Sequence, residues 1–492
     1  MYNDSFIRKS NNVAKATWQI VNKETGKAYS TSKDLCLTDD GNIIKEPIQV
    51  ANTFNKFFST VSDQYSHNIC LESAIKRTQP AVKIHSPLFN FRPTDPQEVR
   101  RNILSLNNSK SSGWDGITSL VLKQCAQVIS FPLACIINMA FRDGCFPEYL
   151  NNAVIRPLFK TGDAMDPSNY RPIALLTIFS NVVESVILAR LDCHFTSNNL
   201  LTDSQFGFRK GKSTSNAINS IIDAVVGALD GSQSVGGIFC DLSKAFDCVN
   251  HAVLLHKLQC YGIAGSALSL LSSYLSLRKQ AVKVEGSGYA KFGSWEVNRS
   301  GVPQGSILGP FLFSVYINDL PSNLNTNVVC LYADDTSTIS LADNMDSLIT
   351  SMDTAYSNLQ AWFDCNGLHL NDEKTRIVFF TASKADNSDV EVHGMQPSSS
   401  AKLLGVTLDS GLDWDEHIDR LSSNLSCILF AFRVLTPIVS SETILKVYYG
   451  YVFSRLKYGI IFWGASSKIV KSFQDSKKIY SPYVWCIFQV SL

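Results

Sequence analysis

The sequence predicts an α+β fold in which helices pack on one face of a largely antiparallel sheet. Short apolar runs such as 237–241 and 375–380 have the length and composition of buried strands. Longer segments with apolar residues at helical spacing, such as 345–363, lie between such runs. The order along the chain is helices, strand, helix, strand pair, helix and strand, which is typical of layered α+β proteins.

Length and composition indicate a globular protein built from several parts. The chain has 492 residues, which exceeds what one core usually serves, so we expect about two to four subdomains. Apolar residues make up 45% of the chain and charged residues 18%, as in ordinary soluble proteins. Because the net charge is only +1, nucleic-acid binding would have to rest on local basic patches.

Cysteine, histidine and hydrophobic patterns exclude several classes of protein. The 13 cysteines include no Cys-x-x-Cys pair, which argues against a zinc ribbon and against a compact disulfide scaffold. The eight histidines show no His-Glu-x-x-His spacing, so zinc hydrolysis has no support. We find no signal core and no run of about 18 apolar residues. We therefore expect an intracellular protein with reduced cysteines, in the nucleus or the cytoplasm, without a membrane span.

The remaining secondary-structure signals are local. Residues 1–90 contain no recognisable set of candidate catalytic residues. Asp95 is followed by Pro96 and Glu98, which together predict a helix start with an N-cap, a proline at N1 and an acid at N3. A predicted strand at 153–160 ends in a basic residue, and residues 403–409 predict another single strand.

Residues 205–214 combine aromatic faces with basic groups. The segment carries two phenylalanines and three cations, Arg209, Lys210 and Lys212. Aromatic rings can stack on bases while the cations contact phosphates, so the segment is a candidate nucleic-acid contact. The alternative is an ordinary solvated basic loop.

An acidic hairpin is the main candidate for chemistry. An apolar run leads to Asp334 and Asp335 and continues through β-branched residues, which predicts a β-hairpin with an acidic tip. Adjacent carboxylates repel each other, and a divalent cation would remove that repulsion. Plain turn chemistry is the alternative for such a pair. Asp241, at the end of a predicted strand, is a third candidate, whereas Asp247 lies beyond that strand and is expected to be structural.

Carboxylates from neighbouring strands fit the chemistry of nucleotidyl transfer. That reaction needs reactants held in line and charge neutralised on phosphate groups. Two divalent ions about 3.5–4 Å apart do this in many polymerases. Magnesium prefers carboxylates, phosphate oxygens and water over an all-protein cage. Asp241 and Asp334 are far apart in the sequence, so such a site would have to be assembled by the fold.

A set of short motifs stands in a recognisable order. They are Asn-Tyr-Arg-Pro-Ile at 169–173, Gln-Phe-Gly-Phe-Arg at 205–209, Phe-Cys-Asp-Leu-Ser-Lys-Ala-Phe-Asp at 239–247, Gly-Val-Pro-Gln-Gly-Ser at 301–306, Tyr-Ala-Asp-Asp at 332–335 and Leu-Gly-Val at 404–406. Over residues 90–465 the chain thereby resembles the reverse transcriptases of non-LTR (LINE-type, jockey-like) retrotransposons. The resemblance implies an RNA-directed DNA polymerase with a right-hand fold: fingers, a palm with an antiparallel sheet and a partial helical thumb. It further implies an RNA template, a DNA primer, dNTPs and Mg²⁺, with Mn²⁺ as a possible substitute.

The resemblance also implies roles for individual residues. Asp241, Asp334 and Asp335 would be the catalytic carboxylates and metal ligands. Phe246 resembles an aromatic gate that fills the space needed by a ribose 2′-OH. The other implied roles are nucleotide-lining residues Gln304 and Gly305, triphosphate contacts Lys160 and Arg171, and Lys374 as the proton donor to the leaving pyrophosphate.

The same resemblance divides the chain. The expected parts are an N-terminal connector at 1–90, fingers with the start of the palm at 91–235, a reverse transcriptase domain at 140–410 with its palm core at 236–410, a thumb-like helical region at 411–478 and an atypical tail at 479–492. Residues 1–90 show none of the motifs of the endonuclease that such elements carry upstream, so we expect no nicking activity from this chain.

Other functions remain as alternatives. One is a catalytically inactive retrotransposon relic that acts only as an RNA-binding protein. Another is a maturase-like or telomerase-like polymerase, although residues 243–247 fit the retrotransposon group better. A nucleotide-hydrolysing P-loop is not expected, because residues 301–306 lack the Gly-Lys-Ser/Thr ending of that loop.

Overall fold

Helices and strands are interspersed along the whole of the described chain. The computed structural model describes residues 2–10, 13–24, 35–39, 41–64, 71–78, 87–276, 278–286, 289–381, 390–466 and 468. The helices are α1 Tyr2–Lys9, α2 Val13–Glu24, α3 Pro47–Thr60, α4 Leu71–Thr78, α5 Pro96–Ser105, α6 Ser119–Gln124, α7 Ala126–Asp143, α8 Ile178–Ser197, α9 Thr214–Asp230, α10 His251–Cys260, α11 Gly265–Ser276, α12 Leu308–Tyr316, α13 Met345–Cys365, α14 Asp415–Leu435, α15 Ser441–Tyr448, α16 Ser454–Lys457 and α17 Ile460–Trp463. The strands are β1 Leu37–Asp39, β2 Asn42–Ile44, β3 Asn152–Phe159, β4 Tyr170–Leu176, β5 Ser234–Cys240, β6 Leu242–Ser243, β7 Lys279–Gly286, β8 Tyr289–Phe292, β9 Glu296–Val297, β10 Val328–Tyr332, β11 Asp335–Ala342, β12 His369–Leu370, β13 Arg376–Phe380, β14 Ser400–Leu403 and β15 Val406–Asp409.

The central sheet has the order β10-β11-β5-β13, and every pair in it is antiparallel. Helix α13 packs on one face of this sheet through Leu348 and Met352. Helix α9 packs on the other face through Ile218 and Ile221, together with the β14–β15 hairpin. The antiparallel sheet confirms the predicted α+β class, but the prediction of helices on one face was wrong.

Burial of β5 on both faces explains the two-sided packing. Six of its seven residues are buried, so this strand lacks the polar side that an antiparallel strand facing water would show. Gly236 allows the close approach of α13, because a Cβ at that position would overlap the sulfur of Met352. The central strand is therefore sandwiched, and its register is strongly specified.

A second sheet has the strand order β4-β3-β7-β8, and β9 pairs with β7. Helix α3 covers it, burying Val50 and Phe54 against Val282 and Val284. Glu46 begins this helix by accepting a hydrogen bond from the backbone nitrogen of Gln49 at 2.7 Å. The expected connector at 1–90 thus contributes a packed helix to this sheet.

The predicted start of α5 is confirmed in detail. Asp95 adopts an extended conformation and its Oδ1 accepts from the backbone nitrogens of Gln97 and Glu98, at 2.8 and 2.9 Å. Pro96 occupies the first helical position, where a missing N–H costs nothing. The cap and the proline therefore act at the positions that the sequence pattern indicated.

The single strand predicted at 403–409 is instead a hairpin. Leu404 and Gly405 form a two-residue turn between β14 and β15, with φ angles of 47° and 93°. Positive φ at both turn residues matches the twist of the flanking strands, and glycine adopts it without strain. Tyr458 fixes the turn by donating its hydroxyl hydrogen to the carbonyl oxygen of Leu404.

The two ends of the described chain pack together. Ile7 of α1 and Ile20 of α2 belong to a hydrophobic cluster that also contains Leu425 and Phe432 of α14. The backbone nitrogen of Ser440 also donates to a carboxylate oxygen of Asp4 at 2.9 Å. Residues 469–492, which include the expected atypical tail, lie outside the described residues. No described helix is long and apolar enough to cross a membrane.

Candidate active site

The three predicted carboxylates meet at one end of the central sheet. Tyr332 pairs with Asp335 across the β10–β11 hairpin, which leaves Ala333 and Asp334 as a two-residue turn. Strand β11 also pairs with β5, with Thr336 opposite Cys240. Continuing that register by one position places Asp241 beside Asp335, and side chains at directly opposed positions lie about 5 Å apart.

The turn at the tip of this hairpin is strained. Ala333 has a φ of 58°, in the left-handed region that glycine normally occupies. A non-glycine residue in a sparsely populated conformation costs on the order of 1–3 kcal/mol. Surrounding contacts must therefore hold the hairpin tip in place.

Burial and mutual repulsion raise the pKa values of the hairpin carboxylates. Burial raises the pKa of Asp334, and the negative charge of Asp241 adds to the effect. Asp335 is exposed to solvent at the hairpin tip, yet partial desolvation by the surrounding protein, followed by the charges of Asp334 and Asp241, raises its pKa to about 6. The ionised carboxylates therefore destabilise one another, as expected for groups that are completed by a cation.

The three predicted cations lie near this acidic group. The Nζ atom of Lys374 lies 3.2 Å from Oδ2 of Asp241. The backbone supports this contact, because the nitrogen of Asn371 donates to the carbonyl oxygen of Asp241 at 2.9 Å. Lys160 and Arg171 are exposed near the β3–β4 turn, and their positive charges lower the pKa of Asp334. The fold thus brings these three predicted cations to the predicted carboxylates.

The donor set at the hairpin tip suits a magnesium ion. Within the described ranges, no group of three His, Cys, Asp or Glu side chains forms a ready-made metal cage. Magnesium does not require one, since it is usually held by one or two carboxylates, water and substrate phosphates. The carboxylates of Asp241, Asp334 and Asp335 are hard oxygen donors that repel one another. The residues present therefore fit such an ion.

The loop containing Gln304 and Gly305 is fixed between two parts of the structure. The backbone nitrogen of Ala174 on β4 donates to the carbonyl oxygen of Gln304 at 2.8 Å. Gly305 has a φ of 117°, and a Cβ there would lie 2.7 Å from the carbonyl oxygen of Ala174. Only glycine combines that conformation with so close an approach. On the other side, the nitrogen of Gly301 donates to the carbonyl oxygen of Val249 at 2.8 Å.

Phe246 and Asp247 have different neighbours. The ring of Phe246 stacks on Phe313 at a centroid distance of 4.4 Å and meets the edge of Phe208 at 6.3 Å. Asp247 accepts hydrogen bonds from the Gln304 amide rather than joining the other carboxylates, and burial raises its pKa to about 7. The ring of Phe246 is therefore held by aromatic packing, and Asp247 is hydrogen-bonded to the loop that contains Gln304.

The segment before α9 extends the central sheet at the hairpin. The nitrogen of Leu331 donates to the carbonyl oxygen of Ser204 at 2.9 Å, and the nitrogen of Phe206 donates to the carbonyl oxygen of Leu331 at 2.8 Å. Gly207 then passes so close to the turn that an added Cβ would overlap the backbone nitrogen of Ala333. This contact supports the strained turn.

Two of the three predicted nucleic-acid contacts are engaged within their own loop. Arg209 donates to the carbonyl oxygen of Thr202 at 2.6 Å. Lys212 lies 3.8 Å from a carboxylate oxygen of Asp203, and its Nζ sits 4.6 Å from the ring centroid of Phe206. Lys210 is exposed. Contact of these residues with nucleic acid stays a prediction.

Sequence reasoning missed two supporting residues. Glu184 on α8 is fully buried, and its Oε2 accepts from the nitrogens of Ile307 and Leu308 at 2.6 and 3.2 Å, which caps α12. Lys244 donates to the carbonyl oxygens of Ser168 and Tyr170, at 2.8 and 3.0 Å, and so ties β4 to the chain that follows β5. A lone carboxylate in an apolar helical stretch was the available signal for Glu184.

Comparison with known protein families identifies the class of this protein. Residues 159–408, about half of the chain, match the model of the reverse transcriptase (RNA-dependent DNA polymerase) family. The chain belongs to that family. The matched range includes every carboxylate at the hairpin tip and the loop around Gln304.

Individual relatives make the class more specific. The chain is 30% identical over 432 residues to the probable RNA-directed DNA polymerase from transposon BS of Drosophila melanogaster, covering 84% of this chain and 46% of that protein. It is 28% identical to the corresponding protein of the X-element of the same fly, covering 92% of this chain and 49% of the relative. It is 26% identical to the RNA-directed DNA polymerase from the mobile element jockey of Drosophila funebris, covering 79% of this chain and 44% of that protein. The chain spans about half the length of these curated relatives.

Replacing Gly207 by alanine tests the support of the hairpin tip. The new methyl group would overlap the backbone of Ala333, which cannot move aside as a flexible side chain could. We expect a loss of about 1–3 kcal/mol in the free energy of unfolding, measured by chemical denaturation. The control is Gly227→Ala on α9, where nothing lies within 4 Å of the new Cβ and helix propensity favours alanine by up to about 1 kcal/mol. Equal effects of the two variants would contradict the close contact.

Asp335→Asn tests the repulsion between the carboxylates in protein treated with a chelator. The folded-state pKa of Asp335 is about 6, above the ordinary value of 3.8. The folded protein thus binds this proton more tightly than the unfolded chain, so stability falls as the pH rises from about 4 through 6. We expect the variant to have a higher melting temperature than the wild type at pH 7.5 and the gap to close near pH 4. The control is Asp343→Asn, which lies just beyond the opposite end of β11 from Asp335 and should show no such gap. A destabilised Asp335→Asn at pH 7.5 would refute the repulsion.

Proposed function

We propose that this chain is an RNA-directed DNA polymerase of a non-LTR retrotransposon. It adds nucleotides from dNTPs to the 3′-OH of a DNA primer on an RNA template. The observation that carries the proposal is the register of β11 on β5, which pairs Thr336 with Cys240. Its continuation by one position sets Asp241 beside Asp335, and the charge of Asp241 contributes to the raised pKa of Asp335. Membership of the reverse transcriptase family and the names of the transposon relatives support the same reaction.

Each part of the site has a task in this reaction. Asp241, Asp334 and Asp335 would hold two Mg²⁺ ions, with Mn²⁺ as a possible substitute. Such ions would supply the positive charge that phosphoryl transfer requires. Lys160 and Arg171 bind the triphosphate oxygens. The ammonium group of a lysine and the planar guanidinium group of an arginine are both suited to phosphate.

The remaining residues select the nucleotide and complete the transfer. Lys374, paired with Asp241, gives a proton to the leaving pyrophosphate. The ring of Phe246, fixed by Phe313, occupies the space that a ribose 2′-OH would need. Gln304 and Gly305 line the nucleotide on a loop that is bonded to β4.

We also propose a right-hand polymerase arrangement for the parts of the chain. Residues 91–235 would be the fingers with the start of the palm, 236–410 the palm core and 411–478 a thumb-like region. The antiparallel sheet that carries the acidic hairpin supports a palm at its position. Arg209, Lys210 and Lys212 lie on the segment that adjoins the hairpin tip and would contact the template or primer.

Extension of a DNA primer on an RNA template by the purified protein tests the proposal. Asp334→Asn should lower the rate by about a thousandfold or more, because the site loses a charge that positions the ions. Asp343→Asn, just beyond the far end of β11, should leave the rate unchanged. Wild-type protein that binds the RNA but never extends the primer would favour the inactive RNA-binding relic instead. Full activity of Asp334→Asn would refute the site.

Phe246→Ala tests the gate. Removing the ring opens the space beside the sugar, so discrimination between dNTPs and ribonucleotides should fall by up to about a hundredfold. The comparison is the ratio of kcat/KM for each dNTP and its ribonucleotide. Phe246→Tyr keeps the ring and should keep the ratio. Unaltered discrimination in Phe246→Ala would show that another group excludes the 2′-OH.

A further inference from the structure

Asp247 carries a carboxylate for which the proposed reaction has so far no task. It lies on the segment that follows β5, one residue beyond Phe246. Its backbone is held from the opposite loop, because the hydroxyl of Ser300 donates to the Asp247 carbonyl oxygen at 3.2 Å. Gly301 lies against it so closely that an added Cβ would be 2.8 Å from the same oxygen. These two contacts therefore fix the backbone from which the Asp247 carboxylate projects.

The side chain of Asp247 makes a specific bond to Gln304. The Nε2 atom of Gln304 lies 3.1 Å from both Oδ1 and Oδ2 of Asp247. An ionised carboxylate can only accept hydrogen bonds, whereas an amide has a donating and an accepting side. The bond therefore turns the NH₂ group of Gln304 toward Asp247. Its carbonyl oxygen, Oε1, then lies on the other arm of the planar amide and faces away from Asp247.

The backbone of Gln304 is fixed as well. Its carbonyl oxygen accepts from Ala174, and the following residue, Gly305, packs on the same residue of β4. With the backbone held from one side and the NH₂ group from the other, the amide has a single orientation. This kind of preorganisation makes one acceptor available at a defined place.

We propose that Asp247 is a positioning residue that orients the Gln304 amide, so that Oε1 accepts a hydrogen bond from the incoming nucleotide. The inference rests on the proposed polymerase function and on the position of Gln304 in the nucleotide-lining loop. A thymine paired with the template has no hydrogen-bond donor left on its base, so the donor that all four dNTPs can offer lies on the sugar. Asp247 therefore acts on nucleotide binding through Gln304 and touches no substrate itself.

The charge of Asp247 is the feature that sets the orientation. Burial raises its pKa to about 7, while the positive charge of Lys244 opposes that rise. Arg278 lines the same cavity, Cys248 is adjacent in sequence, and His251 bonds to the neighbouring Gly301 carbonyl oxygen. A protonated Asp247 could donate to Oε1 and hold the amide the other way round. Acid conditions should therefore weaken nucleotide binding.

The experiment compares steady-state primer extension by Asp247→Asn, Gln304→Glu and the double variant, with each of the four dNTPs. In Asp247→Asn the new amide can pair with either side of Gln304, so the orientation is lost. We expect KM to rise about fivefold for all four dNTPs, the worth of one hydrogen bond, with kcat nearly unchanged. Gln304→Glu places two carboxylates face to face, so its kcat/KM should fall further.

The double variant distinguishes positioning from mere structural support. Combining Asp247→Asn with Gln304→Glu restores one donor facing one acceptor and leaves a carboxylate oxygen toward the nucleotide. We expect its kcat/KM to recover above that of Gln304→Glu alone. In the wild type, KM should rise as the pH falls through about 7, and Asp247→Asn should lose that dependence.

The outcomes separate this inference from the proposed function. An inactive wild type on every primed RNA template would overturn the proposed function itself. An active wild type with Asp247→Asn unchanged in KM would overturn the positioning role alone. A lower melting temperature of Asp247→Asn with unchanged KM, or losses that simply add in the double variant, would show a structural role and would also overturn it.

Discussion

The pairing of β11 with β5 in one register is the constraint on which the site depends. It brings Asp241 beside Asp335 although the two residues belong to distant parts of the chain. A slip of one residue would turn every side chain of β11 to the opposite face, and β5 is buried on both faces, so the cost of a slip is high. Hydrophobic packing around the sheet therefore holds together carboxylates that repel one another. The negative charges of these carboxylates oppose the fold, and the packing of the sheet offsets their repulsion.

Supports for the site come from backbone contacts more than from side-chain pairs. Gly207 lies on the turn at Ala333, Gly305 lies on Ala174, and Lys244 binds two carbonyl oxygens at the start of β4. Glu184 accepts hydrogen bonds from two backbone nitrogens at the start of α12. Backbone atoms are less mobile than side chains, so these contacts fix the hairpin, the loop and the β3–β4 sheet relative to each other. Such rigidity suits a reaction that depends on positioning and charge neutralisation.

Local signals in the sequence were sufficient for some features and insufficient for others. The Asp95 cap, the β5 strand and the hairpin before Asp335 were predictable, because each depends on neighbouring residues. The turn at Leu404 was missed, because a leucine with positive φ is held there by Tyr458, which is remote in sequence. Packing of α9 opposite α13 was also missed, since a run buried on both faces has no alternation that indicates which elements cover it. The Asp247–Gln304 hydrogen bond could not be predicted either, because it joins two segments that only the fold brings together.

The contact between the first helices and α14–α15 has a consequence for how the chain acquires its structure. Asp4 and Ser440 are 436 positions apart, yet they are bonded. At a synthesis rate of about 5–20 residues per second, Ile7 and Ile20 would leave the ribosome roughly 20–90 s before their partners exist. During that interval their apolar faces have no native cover. The native contacts of the first two helices therefore form only after α14 and α15 have been synthesised.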